Sequence, residues 1–294
     1  MGTLDPYRCV QSAVPTDDRE STVTNVPTPV GSVYVDDQGE QGQPVALLWP
    51  SLFTDHEMWR HQIPALRSAG MRTLAVDPPG HGRSPGPGRH FTMAECAEAV
   101  VQILDALSVQ VPVIMLGTSW GGFVAPRVAL RAPDRVRGLA LFNSSAERGT
   151  LFDRAKASVL TNLLRVSMFD NITASMIVSG LLAPETRSQQ PAIGHDLAQQ
   201  FLGWGRSGFI DAVHSVLIDR DAVLGTLGDV SVPALVVSGQ QDRTLPAVHS
   251  ELIAATLCDA RYVEVADAAH LVPLEAPRAA NSLILNFIQS LPAS

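Results

Sequence analysis

Ser119 is the first residue that points to chemistry, because it lies in a Gly-x-Ser-x-Gly pattern at residues 117–121. The apolar run 113–116 before this pattern predicts a buried parallel strand, and residues 123–131 after it predict a helix. Strand, pattern and helix together are typical of a nucleophile elbow, a sharp, strained turn that exposes a serine hydroxyl at the carboxyl edge of a sheet. Because an idle serine in a glycine-rich turn would show the same pattern, the rest of the chain must supply a base, an acid and an oxyanion hole.

Asp242 and His270 are the candidates for the acid and the base. Asp242 follows the apolar run 234–238, and His270 follows the run 261–265. A neutral imidazole has to take the proton of a serine nucleophile, and a carboxylate on its far nitrogen stabilises the imidazolium that forms. A turn aspartate or a solvated loop histidine would explain each residue singly. Serine, acid and histidine follow each other in the chain order that accompanies such an elbow, which favours a catalytic triad.

The oxyanion hole needs two N–H donors, and we assign them to Trp120 and Leu52. Trp120 directly follows the predicted nucleophile, and Leu52 lies in the loop after the apolar run 45–49.

Several other acids and histidines compete for these roles. Asp77 and His81 follow the predicted strand 71–76, where we expect them to shape the pocket floor rather than transfer protons. We expect His56 and His61 to be surface or rim residues, and Asp267 to cap a turn beside the predicted base.

Strands and helices alternate along most of the chain. Apolar runs predict two strands within 21–37 and further strands at 45–49, 71–76, 113–116, 136–142, 234–238 and 261–265. Helical spacing predicts helices at 57–69, 92–107, 123–131, 246–257 and 277–290, the second with a capping box formed by Thr92 and Glu95. This alternation predicts an α/β fold with a mostly parallel sheet, in which ligands bind beyond the carboxyl ends of the strands.

The alternation stops between residues 143 and 228, where the sequence is helical and amphipathic. We therefore predict a helical cap at 143–228, inserted into a core formed by 21–142 and 229–294. The polar residues 1–20 predict a flexible N-terminal tail without the features of a signal peptide.

Composition excludes several classes of protein. The net charge of −8 argues against nucleic acid as a partner, and no apolar run is long enough for a membrane span. Cys9, Cys96 and Cys258 show no metal or redox spacing, so we expect a cytoplasmic protein without a metal ion or organic cofactor. We expect a monomer or a homodimer that acts on a small molecule.

The sequence resembles the α/β-hydrolase superfamily over about residues 21 to 290. Four segments carry the resemblance: 117–121, Asp77-Pro-Pro-Gly-His-Gly-Arg-Ser84, Gly239-Gln-Gln-Asp-Arg243 and Ala269-His270. The resemblance implies an eight-stranded, mostly parallel sheet with a helical cap inserted after the sixth strand. It also implies a serine, acid and base at Ser119, Asp242 and His270.

The loop after the third strand departs from the pattern of many members, which have His-Gly where this chain has Pro50-Ser51. Residues 51–59 resemble instead the Ser-Leu-Gly-Thr-Asp-x-x-Met-Trp segment of 3-oxoadipate enol-lactonases. The haloalkane dehalogenases and epoxide hydrolases of the superfamily use an aspartate nucleophile, so Ser119 argues against both activities.

The expected function is hydrolysis of a carboxylic ester or lactone by a serine hydrolase through an acyl-enzyme. A C–C bond (β-diketone) hydrolase or a haloperoxidase-like perhydrolase could use the same triad. A slow-turnover, receptor-like binding protein and a cofactor-free lyase or cyclase are alternatives of other classes. We expect a small, largely apolar substrate to lie against apolar side chains, here Phe53, Phe123, Met168, Leu181 and Trp204.

Overall fold

The predicted strands form one eight-stranded sheet in the computed structural model, which describes residues 22–292. The strands are β1 (Thr22–Thr28), β2 (Gly31–Gln38), β3 (Val45–Trp49), β4 (Arg72–Val76), β5 (Val113–Thr118), β6 (Val136–Phe142), β7 (Ala234–Gly239) and β8 (Ala260–Val265). Their order across the sheet is β1-β2-β4-β3-β5-β6-β7-β8. The pairs β1–β2 and β2–β4 are antiparallel, and all other neighbours are parallel. The predicted tail 1–20 lies outside the described residues.

The centre of the sheet is buried on both faces, as its apolar composition requires. Every residue of β3, β4, β5 and β7 is buried, while most residues of the edge strand β8 are partly or fully exposed. Such continuous apolar strands are typical of a parallel sheet that is covered by helices on both sides.

Eleven α-helices accompany the sheet within residues 22–292. They are α1 (Gln62–Ser68), α2 (Met93–Ala106), α3 (Trp120–Arg131), α4 (Leu151–Leu164), α5 (Asp170–Leu181), α6 (Pro184–Gln189), α7 (Pro191–Gly203), α8 (Arg206–His214), α9 (Ala247–Thr256), α10 (Val272–Glu275) and α11 (Pro277–Ser290). The capping box of α2 is present: Glu95 N–H donates to Thr92 Oγ1, and Thr92 N–H donates to the Glu95 carboxylate.

The single helix predicted at 57–69 is wrong. The structure has a 3₁₀-helix, His56–Trp59, followed after two residues by α1. Pro64 explains the break, because a proline has no N–H to donate and its ring clashes with the carbonyl four residues earlier, here that of Arg60.

The helices α4 to α8 lie between β6 and β7 in the chain, and we call residues 143–228 the cap. A five-residue π-helix, Ser215–Asp219, continues α8. Within the described residues, no helix combines the length and the apolar character that crossing a bilayer requires.

Candidate active site

Ser119 lies on a strained turn between β5 and α3. Its backbone has φ 52° and ψ −104°, a left-handed conformation that non-glycine residues rarely adopt. Ser119 N–H donates to the carbonyl of Phe142 at 2.8 Å, and its own carbonyl accepts from Phe123 N–H at 3.0 Å. These bonds hold a conformation that costs about 1–3 kcal/mol, as predicted for an elbow.

Glycines surround this turn because no side chain would fit there. A Cβ on Gly117 would overlap with the backbone of Gly121, and a Cβ on Gly121 would overlap with the carbonyl oxygen of Trp49. The glycines therefore let α3 approach the strands closely enough to present the Ser119 hydroxyl at the sheet edge.

The predicted base and acid are directly paired. His270 Nδ1 lies 2.8 Å from Asp242 Oδ2, and both side chains are buried. The same Asp242 oxygen accepts from Asn143 Nδ2, while its other oxygen accepts from the N–H groups of Thr244 and Leu245. Burial raises the pKa of Asp242, but the attraction of His270 and these hydrogen bonds outweigh it and lower the pKa below its usual value. Asp242 is therefore an ionised partner for an imidazolium.

The described residues show no hydrogen bond between the Ser119 hydroxyl and the ring of His270. Ser119 is 7% exposed and His270 is 1% exposed, so both lie at an enclosed edge of the sheet. Catalytic hydrogen bonds are often long in unliganded enzymes and shorten when substrate binds.

The two predicted oxyanion donors differ in how they are held. Trp120 is the first residue of α3, where a helix leaves its N–H groups without intrahelical partners. In the loop after β3, Phe53 N–H donates to His81 Nε2 at 3.2 Å, and Gly121 N–H donates to the carbonyl of Pro50 at 3.2 Å. The N–H of Leu52 makes no hydrogen bond to the described part of the chain, and it remains our prediction for the second donor.

His81 holds the loop after β3 in place. It is fully buried, its Nδ1 lies 3.1 Å from the Pro79 carbonyl, and its Nε2 accepts from Phe53 N–H. The network therefore assigns the proton to Nδ1, and burial lowers the pKa of His81 to about 4. A neutral histidine from the loop after β4 thus holds Phe53, whose φ of 69° would otherwise be unfavourable.

The expectation that His56 is a surface or rim residue is wrong. His56 is buried, its Nδ1 lies 2.6 Å from Asp77 Oδ1, and its backbone N–H donates to the same oxygen. Burial lowers the pKa of His56, but the bond to Asp77 outweighs this effect and raises it. His61 is exposed, as expected, and the exposed Asp267 is not the partner of His270.

Four of the five predicted wall residues are at least partly buried. Leu181 contributes its carbonyl to His270 N–H at 3.1 Å, and the ring of Trp204 lies 4.8 Å from that of His81. Phe53 and Phe123 are buried, but the Arg220 guanidinium covers the Phe123 ring at 3.8 Å. Met168 is 78% exposed, so placing it in an enclosed wall was wrong: it lies in a short 3₁₀-helix, Ser167–Phe169, that buries none of its residues.

Sequence reasoning missed Phe209, which joins the cap to the loop after β3. Its ring lies 5.4 Å from Phe53, 5.2 Å from His81 and 5.9 Å from Trp204. One aromatic residue in a generic helical stretch carries no signal of this position.

Sequence reasoning also missed Glu275, a buried carboxylate in α10. One oxygen accepts from the N–H groups of Ala269 and Leu271, which flank His270. The other accepts from Ala183 N–H and Thr186 Oγ1 in the cap. Burial is the largest effect on Glu275 and raises its pKa. The glutamate five residues after His270 was the only available signal.

Comparison with known proteins agrees with this geometry. The family model of the alpha/beta hydrolase fold matches residues 44–167. A hydrolase structure from Pseudomonas aeruginosa PA01 is 30% identical, with 91% of this chain and 98% of that chain covered and a TM-score of 0.82. The 3-oxoadipate enol-lactonase 1 of Acinetobacter baylyi is 23% identical, with 86% of this chain and 91% of the relative covered.

A third relative is longer than this chain. The dihydrolipoyllysine-residue acetyltransferase component of the acetoin cleaving system from Pseudomonas putida is 29% identical over 85% of this chain, which spans 65% of that relative's length.

The order of the strands, the turn at Ser119 and the relatives together support a hydrolase. The chain belongs to the α/β-hydrolase superfamily, and it resembles the 3-oxoadipate enol-lactonases within it.

Proposed function

We propose that this protein is a serine hydrolase that cleaves a carboxylic ester or lactone through an acyl-enzyme on Ser119. The observation that carries the proposal is the strained elbow of Ser119 at the sheet edge that also holds the buried His270–Asp242 pair. A histidine held by a buried carboxylate whose pKa is lowered is the arrangement that a general base for a serine needs, and it supports this role.

In the acylation step, Ser119 Oγ attacks the acyl carbon while His270 Nε2 takes the hydroxyl proton. Asp242 holds Nδ1–H and stabilises the imidazolium that results. The N–H groups of Leu52 and Trp120 donate to the developing oxyanion. Protonation of the leaving alkoxide by His270 then completes formation of the acyl-enzyme.

Deacylation repeats these steps with water as the nucleophile. His270 takes a proton from water, the hydroxide attacks the acyl carbon, and Ser119 leaves with the proton returned by His270. In a lactone the leaving alkoxide stays attached to the acyl group, so a single hydroxy acid is released.

Aromatic side chains at the junction of cap and core support the proposed substrate class. Phe209 packs against Phe53, Trp204 and His81, and Trp204 also packs against His81. Such walls favour a small, largely apolar acyl group. The similarity of residues 51–59 and of the wider chain to enol-lactonases supports lactones as the first substrates to test.

Ser119→Ala tests the proposal. Because triad residues act as a unit, we expect turnover of a p-nitrophenyl ester and of a lactone panel to fall roughly a millionfold. A fluorophosphonate probe should label the wild-type protein at Ser119 and leave the variant unlabelled.

Three outcomes would contradict the proposal. Full activity in Ser119→Ala would indicate a lyase or cyclase that uses His270 alone. An absence of labelling would favour a binding protein. Cleavage of a β-diketone without cleavage of any ester or lactone would reassign the triad to C–C bonds.

A further inference from the structure

His90, His214 and Asp219 form a cluster outside the catalytic site, at the junction between the cap and the core. His90 lies in the core segment just before α2, while His214 ends α8 and Asp219 ends the π-helix. We propose that this cluster binds a divalent transition-metal ion, with Zn²⁺ as the best fit, and that the ion joins the cap to the core.

The distances between the three side chains suit a single cation bound by all of them. Asp219 Oδ2 lies 3.0 Å from His214 Nδ1 and 3.3 Å from His90 Nδ1. One potential ligand atom from each of the three residues lies within 4.8 Å of the others. Ligand atoms around a tetrahedral Zn²⁺ are about 3.3 Å apart, given metal–ligand bonds of about 2.0–2.1 Å. The three side chains can therefore close on an ion by side-chain rotation, without a shift of the backbone.

The π-helix is the element that assembles the cap side of the cluster. His214 and Asp219 are five residues apart, a spacing that places side chains on different faces of an α-helix. A π-helix bonds each residue to the fifth one along, so it brings these two side chains onto the same face. Single π-turns of this kind are rare and frequently mark functional sites.

The donor set selects the class of ion. Two imidazoles and one carboxylate are typical ligands of Zn²⁺ and its neighbours in the first transition row, whereas Mg²⁺ and Ca²⁺ prefer oxygen ligands. The two rings are stacked, with centroids 3.8 Å apart, and Nδ1 of each lies close to Asp219 Oδ2, so the rings have to rotate apart for both nitrogens to point at one ion. Asp211 Oδ1 lies 4.0 Å from His90 Nε2, on the side where a metal-bound histidine usually donates its second N–H to a carboxylate.

The position of the cluster gives an ion a structural consequence. Phe91 follows His90, its N–H donates to Ser215 Oγ in the π-helix at 2.8 Å, and its ring stacks on that of Trp120. A bound ion would add a second link across the same junction, between segments more than a hundred residues apart in the chain. It would stabilise the packing of the cap on the core independently of the chemistry at Ser119.

Calorimetric titration of chelator-treated protein with ZnCl₂ at neutral pH tests the proposal. Cys9→Ser and Cys258→Ser form the background, because thiolates also bind Zn²⁺. We expect one ion per chain and a higher Tm with Zn²⁺ but not with Mg²⁺. His90→Asn and His214→Asn should each weaken binding at least about 100-fold, and Asp211→Asn about tenfold.

His195→Asn is the matched control, because His195 is an exposed histidine of the cap that is followed in the sequence by Asp196. It should bind Zn²⁺ as the background does. Circular dichroism and labelling of Ser119 would verify that each variant is folded. The proposal is overturned if Zn²⁺ fails to bind at millimolar concentration, if binding survives the loss of both histidines, or if His195→Asn weakens binding equally.

Discussion

Buried polar side chains, each with specific partners, hold the residues to which we assign catalysis. Asn143 bridges Asp242 and the carbonyl of Ala269, and Glu275 bonds the N–H groups on both sides of His270. Leaving any of these groups without a partner would cost about 1–3 kcal/mol, because each is shielded from water. The positions of acid and base are therefore set by hydrogen bonds rather than by packing alone.

Leu52→Pro removes one proposed oxyanion donor while keeping an apolar side chain. We expect kcat on an ester to fall about 10²- to 10³-fold, since this is the usual effect of losing one such donor. Steady-state kinetics would measure the loss, with Leu52→Ile as the control that retains the N–H. Equal rates in both variants would move the oxyanion hole to another loop.

Glu275→Gln keeps the shape of the side chain but replaces one acceptor oxygen with an amide. Two of the four donors around residue 275 then lose their acceptor, and we expect the free energy of unfolding to fall by about 2–5 kcal/mol. We also expect kcat to fall about 10- to 100-fold, because His270 loses its support. Urea denaturation and kinetics would measure both effects.

The exposed Glu185 in α6 provides the control for this change. Glu185→Gln should leave both stability and kcat unchanged. Equal effects of the two substitutions would contradict the bridging role of Glu275.

The positions of Ser119, Asp242 and His270 after β5, β7 and β8 could be predicted because each residue follows an apolar run. Their role as a catalytic triad stays a prediction. Asn143 and Glu275 could not be predicted, because their roles depend on which loops meet in space. His56 was mistaken for a rim residue because its partner, Asp77, is 21 positions away and nothing local indicates the pair.

At the scale of elements, the junction of β5 and α3 determines where the serine points. Gly117 and Gly121 allow the helix to start immediately after Ser119 and to pack against β3. The sequence predicted this helix only from residue 123, because glycines are poor helix formers and the first turn is stabilised by tertiary contacts.

Gly121→Ala should disrupt this junction. Its Cβ would meet the carbonyl oxygen of Trp49, which is backbone and cannot rotate away, so we expect a loss of more than about 3 kcal/mol or failure to fold. Gly203→Ala at the end of α7 meets no atom within 4 Å and should be neutral or stabilising by up to about 1 kcal/mol. Thermal unfolding of both variants would measure the difference, and equal stability would contradict the packing argument.

The order of elements was predictable, but their internal irregularities were not. Apolar runs that alternate with helical stretches predicted all eight strands, with small errors at the strand ends. The break at Pro64 and the π-helix escaped prediction, because hydrophobic periodicity reports which face is buried and not which hydrogen-bond pattern the backbone adopts.

At the scale of the whole molecule, the fully buried His81 links folding to pH. Its pKa is about 4 in the folded protein and about 6.5 in an unfolded chain, so the unfolded state binds its proton more tightly. The stability that a neutral His81 contributes is complete above about pH 6.5 and is lost as the pH falls toward 4.

His81→Gln isolates this contribution, because an amide oxygen can still accept from Phe53 N–H. From pH 6.5 to 5 we expect the wild-type protein to lose about 2 kcal/mol more than the variant. The comparison between variants is needed because Asp55, whose pKa burial raises to about 6, acts in the opposite direction. Urea unfolding at several pH values would measure both proteins, and parallel curves would contradict the buried neutral state of His81.

The strands that bracket the cap are neighbours in the sheet: β6 pairs with β7, with Phe142 beside Val237. The chain thus leaves the sheet at the carboxyl end of β6 and re-enters it in the adjacent strand β7, which begins beside Leu139. The cap therefore interrupts two neighbouring strands, and we treat it as an exchangeable cassette. Grafting a foreign cassette should redirect substrate preference without dismantling the hydrolytic machinery, on one condition. The replacement segment has to offer a carbonyl to His270 N–H and donors to Glu275, as Leu181, Ala183 and Thr186 do now. It also has to keep Asn143, which donates to Asp242 and to the Ala269 carbonyl.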